Sequence, residues 1–113
     1  MLAPGRNYVN SPIQLSLNIE TALGVDVDPD TVTFKTFSPS GLETSYVYGT
    51  DSEVTKSSVG NYDAVFTPNE SGRWYYRWET TGTGTTIGIE GQFLVQASAF
   101  FDDVRLNSAY RLW

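Results

Sequence analysis

The chain has 113 residues, of which 40 % are hydrophobic and 18 % are charged, and its formal net charge is −6. This length supports one hydrophobic core and excludes two domains of ordinary size. Phosphate binding requires clustered basic residues, so a net negative charge with only seven Lys and Arg excludes a typical nucleic-acid surface.

The first half of the chain consists of short alternating or β-branched runs separated by turn-forming residues, and no stretch has a helical apolar period. Because Phe37 breaks the alternation that Val32 and Phe34 begin, we predict a bulge near Thr36. The last of these runs, residues 53–56, carries Glu53 and Lys56, and such charges are typical of an edge strand. The predicted strands are 13–20, 31–37, 43–48 and 53–56.

The second half carries most of the aromatic residues and predicts three more strands, at 62–67, 74–79 and 87–96. In the aromatic strand, Trp74, Tyr76 and Trp78 alternate with polar neighbours and are predicted to face the core. Residues 80–86 read as a loop. The pattern predicts an all-β fold, an immunoglobulin-like Greek-key β-sandwich of about seven strands, with a barrel as the alternative.

The last segment differs from the rest of the chain because it follows the final predicted strand and still carries many apolar side chains. We divide the chain into an N-terminal segment (1–11), the sandwich (12–97) and an extended aromatic C-terminal arm (98–113). The arm is predicted to bind a neighbouring subunit, and the alternative is that it folds back on its own domain. The predicted partner-binding residues are Phe100, Phe101, Val104, Leu106, Tyr110, Leu112 and Trp113.

The chain has no His and no Cys, which removes the usual general base, the usual nucleophile pair and most transition-metal ligands. We therefore predict no enzyme activity, no catalytic residues, no cofactor and no metal. The sequence 82–84 lacks the Lys and the following helix of a phosphate-binding loop.

The alternating carboxylates Asp26, Asp28 and Asp30 resemble the start of a calcium-binding loop. Thr31 and Phe37 stand where such a loop has Gly and Glu, so the helical calcium site is rejected. The prediction is a turn that satisfies its own backbone, and a looser calcium site between strands is the alternative.

The other face of the aromatic strand is predicted to be solvent-exposed. Its rings beside Arg suit binding of sugars or proteins, and the alternative is ordinary cross-strand pairing. The residues of this face are Arg73, Tyr75, Arg77 and Glu79.

The N-terminal residues lack the basic and apolar segments of a signal peptide, and no apolar run reaches the roughly 18 residues of a membrane span. The sequence therefore predicts synthesis in a cytoplasm and no membrane partner.

Five strings in a fixed order carry a resemblance to a known family: 28–34, 39–41, 60–66, 71–78 and 90–95. Over about residues 24–99 the chain resembles small immunoglobulin-like proteins encoded in the structural-gene clusters of tailed bacteriophages and prophages. The resemblance implies a virion component, which decorates the capsid or sits in the neck or tail, and it carries over no catalytic residue.

Together these observations predict a phage structural protein that binds capsid, portal, neck or tail proteins through its terminal arms and is homo-oligomeric in the particle. The N-terminal segment from Leu2 to Val9 is predicted to assist the C-terminal arm. The alternative is a carbohydrate-binding adhesion module on the particle surface that uses exposed Trp and Tyr faces.

Overall fold

A computed structural model describes residues 7–82 and 87–97 of the chain. These residues form seven strands and no helix. The strands are β1 (Ile13–Asn18), β2 (Thr31–Phe37), β3 (Glu43–Val47), β4 (Val54–Ser58), β5 (Asn61–Phe66), β6 (Gly72–Thr81) and β7 (Ile87–Val95).

The strands pair into two antiparallel sheets, one ordered β1-β5-β4 and the other β3-β2-β6-β7. Each sheet also pairs two strands that are not consecutive in sequence, β1 with β5 and β2 with β6, and the chain crosses between the sheets after β1, β3 and β5. This architecture confirms the all-β class and the β-sandwich with seven strands. The immunoglobulin-like Greek-key assignment stays a prediction.

The core lies between the inward faces of the sheets, where alternate residues of each strand point. Phe34 is fully buried at its centre, and its ring contacts that of Trp78 at 4.8 Å and that of Phe66 at 5.8 Å between centroids. Trp74 is also buried, as the alternation in β6 predicts. The core residues are Ile13, Leu17, Ile19, Val32, Phe34, Val54, Tyr62, Ala64, Phe66, Trp74, Trp78 and Val95.

The predicted bulge near Thr36 is wrong. β2 pairs with β3 and β6 without a shift of register through Phe37, so the alternation continues to the end of the strand. Thr36 is buried and Phe37 points to solvent, where it lies opposite Tyr75 of β6. An outward aromatic pair, and not a backbone irregularity, explains the apparent change of phase.

The predicted edge strand is confirmed, because β4 lies at the edge of the three-stranded sheet. It also contains a register irregularity, between Lys56 and Ser58. A Lys side chain and an irregularity are both common on edge strands, since they discourage pairing with other chains.

The two ends of the described chain meet beside β7. The Val9 N–H donates to the Gln96 carbonyl at 3.0 Å, and the Gln96 N–H donates to the Asn7 carbonyl at 2.7 Å. Tyr8 and Gln96 thereby form a parallel bridge. Asn10 has a φ of 69°, and the chain turns there toward β1 in the opposite sheet.

Within residues 7–82 and 87–97 there is no helix of the length and apolar character that crossing a membrane requires.

Candidate binding surface

The solvent-facing side of the β3-β2-β6-β7 sheet, here called the outer face, is the surface on which aromatic and charged side chains come together. Alternation along each strand sends every second side chain to this face, and the register aligns them into rows across the sheet. The aromatic and charged residues of this face are Lys35, Phe37, Glu43, Arg73, Tyr75, Arg77, Glu79 and Glu90.

The charges of the outer face pair with one another. Arg77 donates to Glu79 at 2.7 Å and to Glu90 at 2.6 Å, and Lys35 lies 3.1 Å from the other oxygen of Glu79. Hydrogen bonds from Arg77 and then Lys35 lower the pKa of Glu79. A Cβ at Gly88 would collide with the guanidinium of Arg77, so the absence of a side chain there lets Arg77 lie across β7. The result is a chain of alternating charges with little net charge.

Two aromatic rings lie beside this charge network. Phe37 and Tyr75 are directly opposite each other in the β2-β6 register and are 44 % and 47 % exposed. They border a shallow depression of about 230 Å³ that also includes Lys35, Arg77 and Glu90. Exposed rings next to hydrogen-bonding charged groups suit contact with a sugar ring or with a protein.

The predicted outward orientation of Arg73, Tyr75, Arg77 and Glu79 agrees with the geometry, whereas the predicted exposed Trp faces do not. Trp74 is 5 % exposed and Trp78 is 1 % exposed, because both fill the core. Phe37 also belongs to this surface and was not predicted to do so. Phe37 lies opposite Tyr75 because β2 pairs with β6, and the sequence of β2 alone does not indicate this pairing.

The predicted turn at Asp26, Asp28 and Asp30 that satisfies its own backbone is wrong, because Asp26 forms an isolated bridge with Glu20 and residues 27–29 are not in a turn. The Asp28 carboxylate accepts hydrogen bonds from Lys56 at 2.6 Å, from the Gly60 N–H at 2.8 Å and from the Tyr62 hydroxyl at 3.0 Å. This arrangement ties the β1–β2 connection to β4 and β5. The hydrogen bond from Lys56 is the main cause that lowers the pKa of Asp28.

Tyr62 is the buried member of this cluster. Burial, followed by the hydrogen bond to Asp28, raises the pKa of Tyr62 to about 12. Asp26 is separate and accepts from Asn18 at 3.1 Å. Across the described ranges no group of three or more His, Cys, Asp or Glu side chains is placed to hold a metal ion.

The seven predicted partner-binding residues of the C-terminal arm lie outside the described residues, because the description ends at residue 97.

No protein-family model and no curated protein sequence matches this chain. Two solved structures are similar to it in fold. One is a protein described as a glycoside hydrolase from Bacteroides vulgatus, with a TM-score of 0.58 and 16 % identity over 83 % of this chain. The other is a multi-modular, cell-surface-expressed chitinase from Paenibacillus, with a TM-score of 0.58 and 20 % identity over 79 % of this chain.

This chain spans 16 % of the first of these proteins and 8 % of the second. The likeness therefore concerns one small region of each large protein. It shows that the present chain shares its β-sandwich fold with one region of each of these two proteins.

Proposed function

We propose that this chain is a structural subunit of a tailed-phage particle, in which the sandwich is a rigid spacer and the terminal segments attach it to neighbouring subunits. The observation that carries the proposal is the pairing of Asn7 and Val9 with Gln96, at 2.7 and 3.0 Å. The described chain therefore begins and ends at the β7 edge of the sandwich, which is the geometry that a two-armed attachment needs. The family resemblance over residues 24–99 supplies the phage context.

The composition of the arm supports attachment by burial of apolar side chains. Burying one large apolar side chain contributes about 1.5–3 kcal/mol before the cost of ordering the segment. Phe100 near the start of the arm and Leu112 and Trp113 at its end are the candidate anchors. Repetition of the subunit around a symmetric particle turns moderate affinities into lasting attachment.

Replacing Phe100, Leu112 and Trp113 together by Ser is expected to weaken attachment by more than about a hundredfold, since three buried anchors are lost. The measurement is co-sedimentation of the purified chain with phage particles that lack it. The matched control replaces three exposed apolar residues of the sandwich, Leu23, Leu42 and Val59, by Ser. Attachment that survives the arm substitutions would contradict the proposal.

A second candidate function, carbohydrate binding on the particle surface, has its own support in the outer face. Phe37 and Tyr75 form an exposed pair of rings beside paired charges, a combination that suits a neutral glycan better than an ionic one. The fold likeness to regions of a glycoside hydrolase and a chitinase adds chitin oligosaccharides as a reasonable probe.

Replacing Phe37 and Tyr75 by Ala is expected to weaken binding of chitin oligosaccharides by about tenfold or more, because both stacking surfaces are lost. Isothermal titration calorimetry is the measurement. Tyr48→Ala is the matched control, since Tyr48 is 42 % exposed and lies away from the outer face. If the double substitution and the control bind equally well, the outer face is not a sugar site.

A further inference from the structure

β1 lies at one edge of the three-stranded sheet, and one side of its backbone is open. The Ile19 N–H donates to the Gly60 carbonyl at 2.8 Å, so the backbone groups of the odd-numbered residues of β1 point to β5. Those of the even-numbered residues point away from β5. In the part of the chain that the structure describes, no backbone group bonds to these residues, which are Gln14, Ser16 and Asn18.

β1 is also the one edge strand of the described sheets that carries no charged side chain. Charges on an edge strand discourage pairing with other chains, and β3, β4 and β7 carry Glu43, Lys56 and Glu90. β1 pairs with β5 along its whole length without a shift of register, whereas β4 contains an irregularity. The open side of β1 is therefore a regular template for a further strand.

A second copy of β1 fits this edge because the strand is complementary to itself about a two-fold axis at Ser16. With Ser16 opposite Ser16 of the second copy, Gln14 lies opposite Asn18 of the second copy, so uncharged polar side chains meet on the solvent side. On the inner side, Leu15 lies opposite Leu17 of the second copy. Leu15 is only partly buried in the single chain, so the pairing covers apolar surface that the edge leaves exposed.

The residues that flank β1 favour this register over its neighbours. Because side chains and backbone groups both alternate, the possible registers differ by two residues. A shift in one direction places Pro12, which has no N–H, opposite Asn18 of the second copy and loses a hydrogen bond. A shift in the other direction places the charged Glu20 opposite Gln14 of the second copy. The register centred on Ser16 uses all three open residues of each copy and forms about six backbone hydrogen bonds.

We infer that a second copy of this chain pairs with β1 in an antiparallel arrangement, with Ser16 opposite Ser16, so that two three-stranded sheets join into one. The inference goes beyond the proposed attachment, because β7 belongs to the other sheet. The purified chain alone tests the pairing, whereas attachment is measured on particles, so the failure of one leaves the other standing.

Disulfide trapping tests the two-fold axis directly, because the chain has no Cys of its own. The Cα atoms of a hydrogen-bonded antiparallel pair are about 5.5 Å apart, within the roughly 4.4–6.8 Å that a disulfide spans. The full chain carrying Ser16→Cys is expected to form a disulfide-linked dimer under mild oxidation at least about tenfold faster than the control. The matched control is Thr55→Cys, since Thr55 is exposed on β4 at the opposite edge of the same sheet.

Sedimentation equilibrium of the full chain provides a measurement without cysteine. The chain is expected to dimerise reversibly with a Kd on the order of 0.1 mM, because one strand per copy makes a small interface. Ser16→Pro is expected to raise this Kd by at least about tenfold, since each copy loses an N–H on the open side and keeps its bonds to β5. The matched control is Gln92→Pro on β7, where the even-numbered residues point away from β6, as the bond between Gln96 and Asn7 shows.

Three results would each overturn the inference. The first is a chain that stays monomeric at about ten times that concentration. The second is a Ser16→Pro variant that dimerises as tightly as the Gln92→Pro variant, which would place the contact outside β1. The third is equal cross-linking by Ser16→Cys and Thr55→Cys. Circular dichroism verifies that the variants are folded, and the cross-linking result decides by itself if Ser16→Pro is not.

Discussion

Replacing Phe34 by Ala is expected to lower the free energy of unfolding by about 3–5 kcal/mol, the usual cost of removing a large buried aromatic side chain. Phe34 is completely buried, and its ring lies within 6.3 Å, centroid to centroid, of the rings of Tyr46, Phe66, Tyr76 and Trp78. It therefore connects the two sheets at the centre of the core. A loss of this size is a large part of the roughly 5–15 kcal/mol that stabilises a domain of this kind.

The matched control for Phe34 stands three residues further along the same strand. Phe37 is 44 % exposed on the outer face, so Phe37→Ala is expected to cost less than about 1 kcal/mol. Urea denaturation followed by tryptophan fluorescence measures both variants. Equal destabilisation by the two substitutions would mean that β2 does not present its faces as described.

Replacing Gly60 by Ala is expected to lower the free energy of unfolding by about 2–5 kcal/mol, from an unfavourable φ and from backbone collisions. Gly60 has a φ of 75°, and a Cβ there would lie 2.7 Å from the Ile19 carbonyl oxygen and 2.9 Å from the Val27 nitrogen. The same residue donates to Asp28 and accepts from the Ile19 N–H. The turn before β5 thus holds the β1–β2 connection in place.

The control for Gly60 is Gly49, which separates the conformational cost from the collision. Gly49 has a φ of 91° and nothing within 4 Å of the added Cβ, so Gly49→Ala is expected to cost only about 1–2 kcal/mol. Thermal denaturation by circular dichroism compares the two. A Gly60 variant as stable as the Gly49 variant would show that the turn is not close-packed.

Local patterns were sufficient to predict the strands because burial on one face of a strand leaves a period of two in the sequence. The inward Trp74 and Trp78, and the outward Tyr75 and Arg77, follow directly from that alternation. The change of phase at Phe37 was wrongly attributed to a bulge. Thr36 is the buried residue at this point, and a small polar residue in the core does not appear in the apolar pattern of the sequence.

The features that depend on strand pairing could not be predicted from the sequence. The Asp28 cluster joins residues 28 to 34 positions apart, and only the fold brings Lys56 and Tyr62 to that carboxylate. The Phe37–Tyr75 pair likewise requires that β2 be the neighbour of β6, which periodicity does not determine. The position of β7 at the edge of its sheet also depends on the order of the strands, which periodicity does not determine.

Two surfaces of the sandwich now carry separate hypotheses. The β7 edge is where the described chain begins and ends, and it belongs to the proposed attachment. The outer face, with Phe37 and Tyr75, belongs to the proposed sugar binding. Because their residues differ, the arm substitutions and the ring substitutions separate the two functions in one set of proteins.

The central claim is the proposed attachment through the β7 edge, where the described chain begins and ends, and a cryo-electron microscopy map of a phage particle that contains the chain tests it most directly. The predicted result is density for a two-layered β-sandwich whose β7 edge faces the neighbouring subunit, with the arm 98–113 in contact with it. Particles that contain no such density, or a sandwich that meets its neighbour through the outer face while the β7 edge points to solvent, would contradict the account.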